Sequence, residues 1–344
     1  MNPHKLLVRR RDLLGSAIMA GVAGSTRLAL PGLALLPAAG AGAQESATKL
    51  VLLGTQGGPN FNTERGESAN AVVVDGETYL VDCGYGTLMA LRRAGLNYRD
   101  IAQVFLTHLH DDHSGDIAAL LSHQWSDGRI EPMTVYGPFG TERMVEAALA
   151  FSEANATIRL IDEDRSVEPA SIFAGADLEA SPEPAEVYAD DRVVVSSVEN
   201  THFPEASKLK MPYRSLSYRL DSRDRSIAFS GDTGYSEGLV DLASGADVLV
   251  CETIEVVAMR QAFERMVAGG AYADNAEGVW AHIVGTHTST EDAGRMAAEA
   301  GVGTLVLSHL VPGALLDVDD ETYLTGVRRQ FDGEVIVGRD QMVI

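Results

Sequence analysis

The chain has 344 residues, 45% of them apolar, with 49 acidic and 27 basic side chains and a formal net charge of −22. That length supports one large domain with a sizeable core. The acidic balance works against a long nucleic acid as partner, because phosphate backbones are themselves anionic, and two cysteines are too few for a disulfide framework.

Residues 1–43 read as an export signal. Lys5, Arg9, Arg10 and Arg11 form a basic head, Leu13 to about Leu36 an apolar middle, and Ala41-Gly42-Ala43 a small-residue cleavage site. Arg10-Arg11-Asp12-Leu13-Leu14 fits the twin-arginine pattern. Ser16, Ser25, Thr26, Arg27 and Pro31 interrupt the apolar stretch and make it a poor spanning helix. The expectation is cleavage after Ala43, no stable membrane insertion afterwards, and a periplasmic or secreted product. The remaining domain, 44–344, keeps 22 basic and 48 acidic residues, a net charge of −26.

Within that domain β-rich apolar runs are expected at Lys49–Leu53, Ala71–Val74, Thr78–Val81, Gln103–Thr107 and Met133–Tyr136, then at Arg192–Val198, Ser215–Leu220, Ser226–Ser230, Asp247–Cys251, Thr304–Ser308 and Glu334–Val337. Helices are expected at Thr87–Ala94, Asp116–Gln124, Thr141–Ala154, Leu239–Ser244, Glu255–Val267, Thr290–Ala300 and Glu321–Gln330, the sixth started by Thr290 with Glu291 and Asp292 after it. Strands in both halves with helices between them suit two mixed sheets packed face to face, helices outside. Residues 156–190, acidic and rich in Pro and Ala, read as a surface insertion. Cys83 and Cys251 could pair in an exported protein, but read as buried free thiols more readily than as a bridge.

The chemistry concentrates at Thr107-His108-Leu109-His110-Asp111-Asp112-His113-Ser114-Gly115-Asp116, directly after an expected buried strand. Three imidazoles and a carboxylate within six residues are costly to bury without a partner, and a divalent cation is their natural one. Alternation in an extended loop turns His108 and His110 to one point and Asp112 and His113 to another, so the spacing serves two metals.

Here the chain resembles the metallo-β-lactamase-fold hydrolases, and the resemblance runs through most of the domain. It implies a four-layer αββα sandwich. His202 in Glu199-Asn200-Thr201-His202, Asp232 in Ser230-Gly231-Asp232-Thr233 and His309 in Leu307-Ser308-His309 follow in the family's order. The resemblance implies His108, His110 and His202 on one metal, Asp112, His113 and His309 on the other, and Asp232 between them. Zinc is the expected ion at both positions, with iron or manganese also compatible.

Gly285-Thr286-His287-Thr288-Ser289-Thr290 and Cys251-Glu252-Thr253 resemble ribonuclease Z and its relatives. By that likeness Glu252 orients His287, which protonates the departing oxygen. Leu53-Gly54-Thr55-Gln56-Gly57-Gly58-Pro59, followed by Arg65, resembles the arylsulfatase and phosphodiesterase branch, and Arg65 is expected either to hold an anionic substrate oxygen or to form a surface salt bridge. Asp112, His287 and Glu252 are the expected catalytic residues. No basic Gly/Pro-rich arm of the ribonuclease Z kind is present. The implied activity is hydrolysis of a small phosphodiester or arylsulfate-type ester by a hydroxide bridging the metals. The competing readings are a carboxyl substrate (β-lactam, lactone or thioester), a redox di-iron protein and a non-catalytic metal-binding module. The expected partner is a small anionic or ester substrate, and a homo-oligomer is compatible. His123 and His282 read as structural. Trp125, Trp280, Met259, Met266 and Tyr272 read as core, unless 255–280 forms a lid lining the site.

Overall fold

In the computed structural model, which describes residues 48–61, 63–204 and 208–344, the apolar faces of two sheets meet in a shared core. The first sheet runs β1 (Thr48–Gly54), β2 (Ala69–Val74), β3 (Glu77–Val81), β4 (Ile101–Phe105), β5 (Met133–Gly137) and β6 (Phe173–Asp177), in that spatial order. Asp75 and Gly76, at φ 48° and 88°, turn β2 into β3, the pair of positive angles that a two-residue hairpin needs to follow the strand twist. From β3 onwards neighbours are parallel, and parallel pairs need crossover connections. Those connections hold α1 (Thr87–Arg93), α2 (Asp111–Ser114), α3 (Ile117–Ser126), α4 (Thr141–Phe151) and α5 (Glu153–Asp162).

The second sheet consists of β7 (Ala185–Ala189), β8 (Val193–Glu199), β9 (Leu216–Ser222), β10 (Ser226–Phe229), β11 (Val248–Ile254), β12 (Thr304–Val311) and β13 (Glu334–Val337). It repeats the plan: antiparallel from β7 to β10, parallel from β10 to β13. Its crossovers hold α6 (Glu237–Leu242), α7 (Val256–Ala268), α8 (Ala276–Thr286), α9 (Thr290–Ala300) and α10 (Asp320–Val327).

Three layers of apolar side chains follow. Leu50, Val72, Tyr79 and Phe105 meet Val195, Tyr218, Phe229 and Val250 between the sheets. Leu80, Val104, Leu120 and Trp125 fill the space under the helices of the first sheet, and Leu249, Leu305, Met296 and Tyr323 under those of the second. Each fully buried Leu, Val or Phe contributes about 2 kcal/mol. Cys83 and Cys251 are free buried thiols, one in each outer layer, as expected. Among the described residues no helix is long and apolar enough to cross a membrane. The signal reading of 1–43 lies outside the described residues.

The segment 156–190 is not an insertion. It carries β6 and β7, the edge strands of the two sheets, and so links them. Its composition misleads because edge strands tolerate polar and small residues that interior strands exclude. Gly175 has to be small: a Cβ there would come within 2.6 Å of Glu142 Cα on α4. One other boundary moves, since Ser152 separates α4 from α5. The helix expected at Thr290–Ala300 is found with those bounds, capped by Ser289, which accepts from the Asp292 backbone N–H.

The ends of β3, β4, β10, β11 and β12 form one rim, because parallel strands place their C-termini together. The two sheets are stitched along it by Leu216 N–H to Thr107 O (2.8 Å) and Leu310 N–H to Thr55 O (2.8 Å). This rim carries the titratable cluster.

Candidate metal centre

After β4 the chain leaves the sheet in an extended loop and enters α2, which sets His108 and His110 on one side of the turn and Asp112 and His113 on the other. His202 follows β8, Asp232 follows β10 and His309 lies within β12 at φ 44°. Ligand-type atoms of His108, His110, His202 and Asp232 lie within 4.8 Å of one another, and so do those of Asp112, His113, Asp232 and His309. Asp232 belongs to both groups through different oxygens. Its Oδ2 is 3.9 Å from His108 Nε2 and from His202 Nε2, and its Oδ1 is 3.2 Å from His113 Nε2 and from His309 Nε2.

Outside contacts hold the imidazoles at their far nitrogens. His113 Nδ1 donates to Asp82 Oδ2 (2.8 Å), and Asp82 also accepts from the backbone N–H and hydroxyl of Thr107. His202 Nδ1 donates to Thr286 O (3.0 Å). Such partners leave Nε2 as the free face of each ring. Gly58 N–H donates to Asp112 Oδ2 (2.8 Å), and a Cβ at Gly58 would meet Asp112 atoms at 2.3–2.5 Å. Close approach, not a positive φ, is why glycine stands there.

Burial and charge divide the cluster into two halves. Burial and the neighbouring His113 hold His108 well below the ordinary imidazole pKa, and burial brings His202 down to about 3, so both rings are neutral and have lone pairs to offer. In the other half burial opposes protonation, but Asp232 and Asp112 outweigh it. They raise His113 well above its ordinary value and His309 to about 9. Protons there balance the carboxylates where a cation would otherwise do so.

The residues fit divalent cations on a direct observation. His113 Nε2 and Asp232 Oδ1 are buried 3.2 Å apart without forming a hydrogen bond, a state that costs roughly 1–3 kcal/mol per atom unless something else satisfies it. Five imidazoles and two carboxylates are a donor set suited to zinc, iron or manganese.

Glu252, buried within β11, accepts from Thr233 N–H (2.6 Å) and lies 2.9 Å from His287 Nδ1. His287 occupies the C-terminal cap of α8, directly after a glycine-containing run that gave no helix signal in the sequence. Burial disfavours a charged His287, yet Glu252 and Asp232 raise its pKa above the ordinary value. With Nδ1–H engaged by Glu252, Nε2 is the atom left to act. His287 lines a cavity of about 270 Å³ together with His110, Asp112, Asp232 and His309.

Some expected roles move. The Arg65 guanidinium donates to Thr55 Oγ1 (2.6 Å) and Gly338 O (2.8 Å), tying two segments together, and is not among the residues lining the cavity. Trp125 is core, as expected. Met259, Met266 and Tyr272 line the cavity instead of filling a core alone, and so does His282, whose ring centroid is 5.4 Å from that of His202. Asp82, directly after β3, was not singled out among the expected site residues. Its signal was a carboxylate ending an apolar strand, where burial requires a partner.

Residues 64–309 match the model of the metallo-beta-lactamase superfamily. The ribonuclease Z of Mycobacterium avium is 30% identical over 295 residues, covering 85% of this chain and 96% of its own. Among solved structures, the short form of human tRNase Z superposes with a TM-score of 0.59 at 22% identity, over 86% of this chain and 98% of that one. The metallo-beta-lactamase fold protein YhfI from Bacillus subtilis also gives 0.59, at 20% identity over the same shares. These relatives overturn the expectation that long nucleic acids are excluded, because a ribonuclease is among the proteins matched over most of the chain. Net charge misled because it averages the whole surface, whereas a phosphate meets the local potential of the site. The match of fold and of sequence establishes that the chain is a hydrolase-type member of the metallo-beta-lactamase superfamily.

Proposed function

We propose that the protein hydrolyses phosphodiesters at this centre, with His108, His110 and His202 holding one divalent cation, Asp112, His113 and His309 a second, and Asp232 shared. The observation that carries the choice of bond is that His287 lines the cavity with the buried Glu252 on its Nδ1. Expelling an alkoxide needs a proton donor more than opening a strained lactam or lactone does. Bound cations supply an acidified water and neutralise charge on the ester oxygens. The chain's own residues do the rest. Glu252 fixes the Nδ1–H of His287, Nε2 delivers the proton to the leaving oxygen, and Gly58 N–H holds Asp112 in place. RNA falls within this reading, supported by the ribonuclease relatives. An arylsulfate-type ester is a second reading, favoured by the apolar side of the cavity.

The test is a panel of bis-p-nitrophenyl phosphate, a tRNA precursor with a 3′ trailer, p-nitrophenyl sulfate, nitrocefin and a homoserine lactone, given to zinc-loaded protein. Either phosphodiester should be turned over fastest. Faster turnover of nitrocefin or the lactone would refute the proposal.

Cation binding must displace the protons held by His113 and His309. Affinity is therefore expected to rise with pH until His309 has lost its proton, at about 9. In the metal-free protein the sign reverses. A raised imidazole stabilises the fold fully below its unfolded pKa and loses that contribution as pH passes the folded one. Chelator competition and thermal melts at pH 6.5, 7.5 and 8.5 check both trends; flat profiles would contradict them. Asp82→Asn keeps a residue that tolerates the φ of 64° there but weakens the acceptor for His113. The expected cost is about tenfold in cation affinity, by the same titration.

We also propose export by the twin-arginine route. Replacing Arg10-Arg11 by Lys-Lys and fractionating cells tests it, and an unchanged distribution would count against it.

A further inference from the structure

The cavity beside His287 is walled on one side by a helix pair with a core of its own. Met259 and Phe263 of α7 pack against Tyr272 and Trp280, apart from the three layers that hold the sheets. The Phe263 ring stacks on Tyr272 at 5.7 Å and lies 5.4 Å from Trp280. This unit presents Met266, Tyr272, Val279 and Ile283 to the cavity, whose other walls include His110, Asp232 and His287.

Chain connectivity gives the wall its meaning. α8 carries Val279 and Ile283 and ends on His287, its C-terminal cap. An oxygen that takes a proton from His287 is therefore beside the end of α8, whose Val279 and Ile283 also line the cavity. Among the described residues lining the cavity none is Lys or Arg, so a second anionic group on this side would meet no fixed cation. Thioethers and an aromatic ring favour a flat, polarisable occupant. The cavity of about 270 Å³ admits a fused pair of rings.

We infer that this wall is a subsite for a flat aromatic group on the leaving alcohol of the ester, with Ile283 a specificity-determining contact. The inference rests on the phosphodiesterase reading for the position of the leaving oxygen. The ring has two chemical sources, a simple aryl group or a nucleobase.

The test is binding, so it does not depend on turnover. Zinc-loaded protein is titrated by calorimetry with benzylphosphonate and 2-naphthylmethylphosphonate, in which a CH2 replaces the leaving oxygen. The second ring removes roughly 50 Å² more apolar surface from water and should tighten Kd about tenfold. Ile283→Ala should reduce that ratio to about threefold or less. Equal affinities of the two ligands for the unaltered protein overturn the subsite, whatever the variant does. Adenosine 3′-monophosphate is the third ligand: weaker binding in Ile283→Ala assigns the ring to a nucleobase, and unchanged binding assigns it to a simple aryl group. A naphthyl preference without hydrolysis of any phosphodiester would leave the subsite standing and remove the reading of the reaction.

Discussion

Asp232→Ala is expected to abolish hydrolysis and to leave the purified protein with less than one equivalent of cation. The residue is 2% exposed and directs one oxygen to each half of the cluster, at 3.9 Å to His108 and His202 and at 3.2 Å to His113 and His309. No other described carboxylate belongs to both four-residue ligand groups built on His108 and on His113. Its removal also strips counter-charge from His113 and His309, whose protonated state it favours. Breaking a buried charge network from one side costs about 3–5 kcal/mol. The metal-free variant should therefore melt well below the metal-free parent. Elemental analysis after gel filtration, activity and a thermal melt are the three measurements. A variant that retains both cations and measurable turnover would show that Asp232 does not join the two halves.

His287→Ala is expected to lower kcat about a hundred- to thousandfold on a phosphodiester with an alkyl leaving group, and much less on a p-nitrophenyl ester. The difference follows from the role: p-nitrophenolate departs without a proton, an alkoxide does not. Glu252→Gln should produce the same pattern in weaker form, about tenfold, since glutamine still accepts from His287 Nδ1–H but does not favour a charged ring. The competing assignment is that His287 and Glu252 are themselves ligands, because Asp232, Glu252, His287 and His309 also bring ligand-type atoms within 4.8 Å. Cation content decides between them. Retained cations with a leaving-group-dependent loss support proton donation, whereas lost cations with equal losses on both esters support ligation.

Legibility followed local pattern. His108, His110, Asp112 and His113 were readable because four donors within six residues after an apolar strand have few other uses. His202, Asp232 and His309 are single residues at or near strand ends, legible only through the family order. The strands of the two interiors showed themselves as apolar runs. β6 and β7 did not, since an edge strand buries little and Phe173-Ala174-Gly175-Ala176-Asp177 has no alternation to detect. α8 was missed for another reason. Ala276–Thr286 contains Gly278 and Gly285 and no polar stripe, so its helix depends on packing against α7 and not on propensity.

The sequence by itself determined which atoms are present for binding cations and the approximate strands that carry them, because both depend on residues adjacent in the chain. Only the tertiary structure decided that Asp232 faces two ways, that Asp82 holds His113, that Arg65 is occupied elsewhere and that Met266, Tyr272 and Ile283 face a cavity. Those facts depend on how two sheet rims and a helix pair close on one another. Such contacts join residues far apart in the chain, 197 positions for His309 and Asp112 and 273 for Arg65 and Gly338, and no local pattern encodes them.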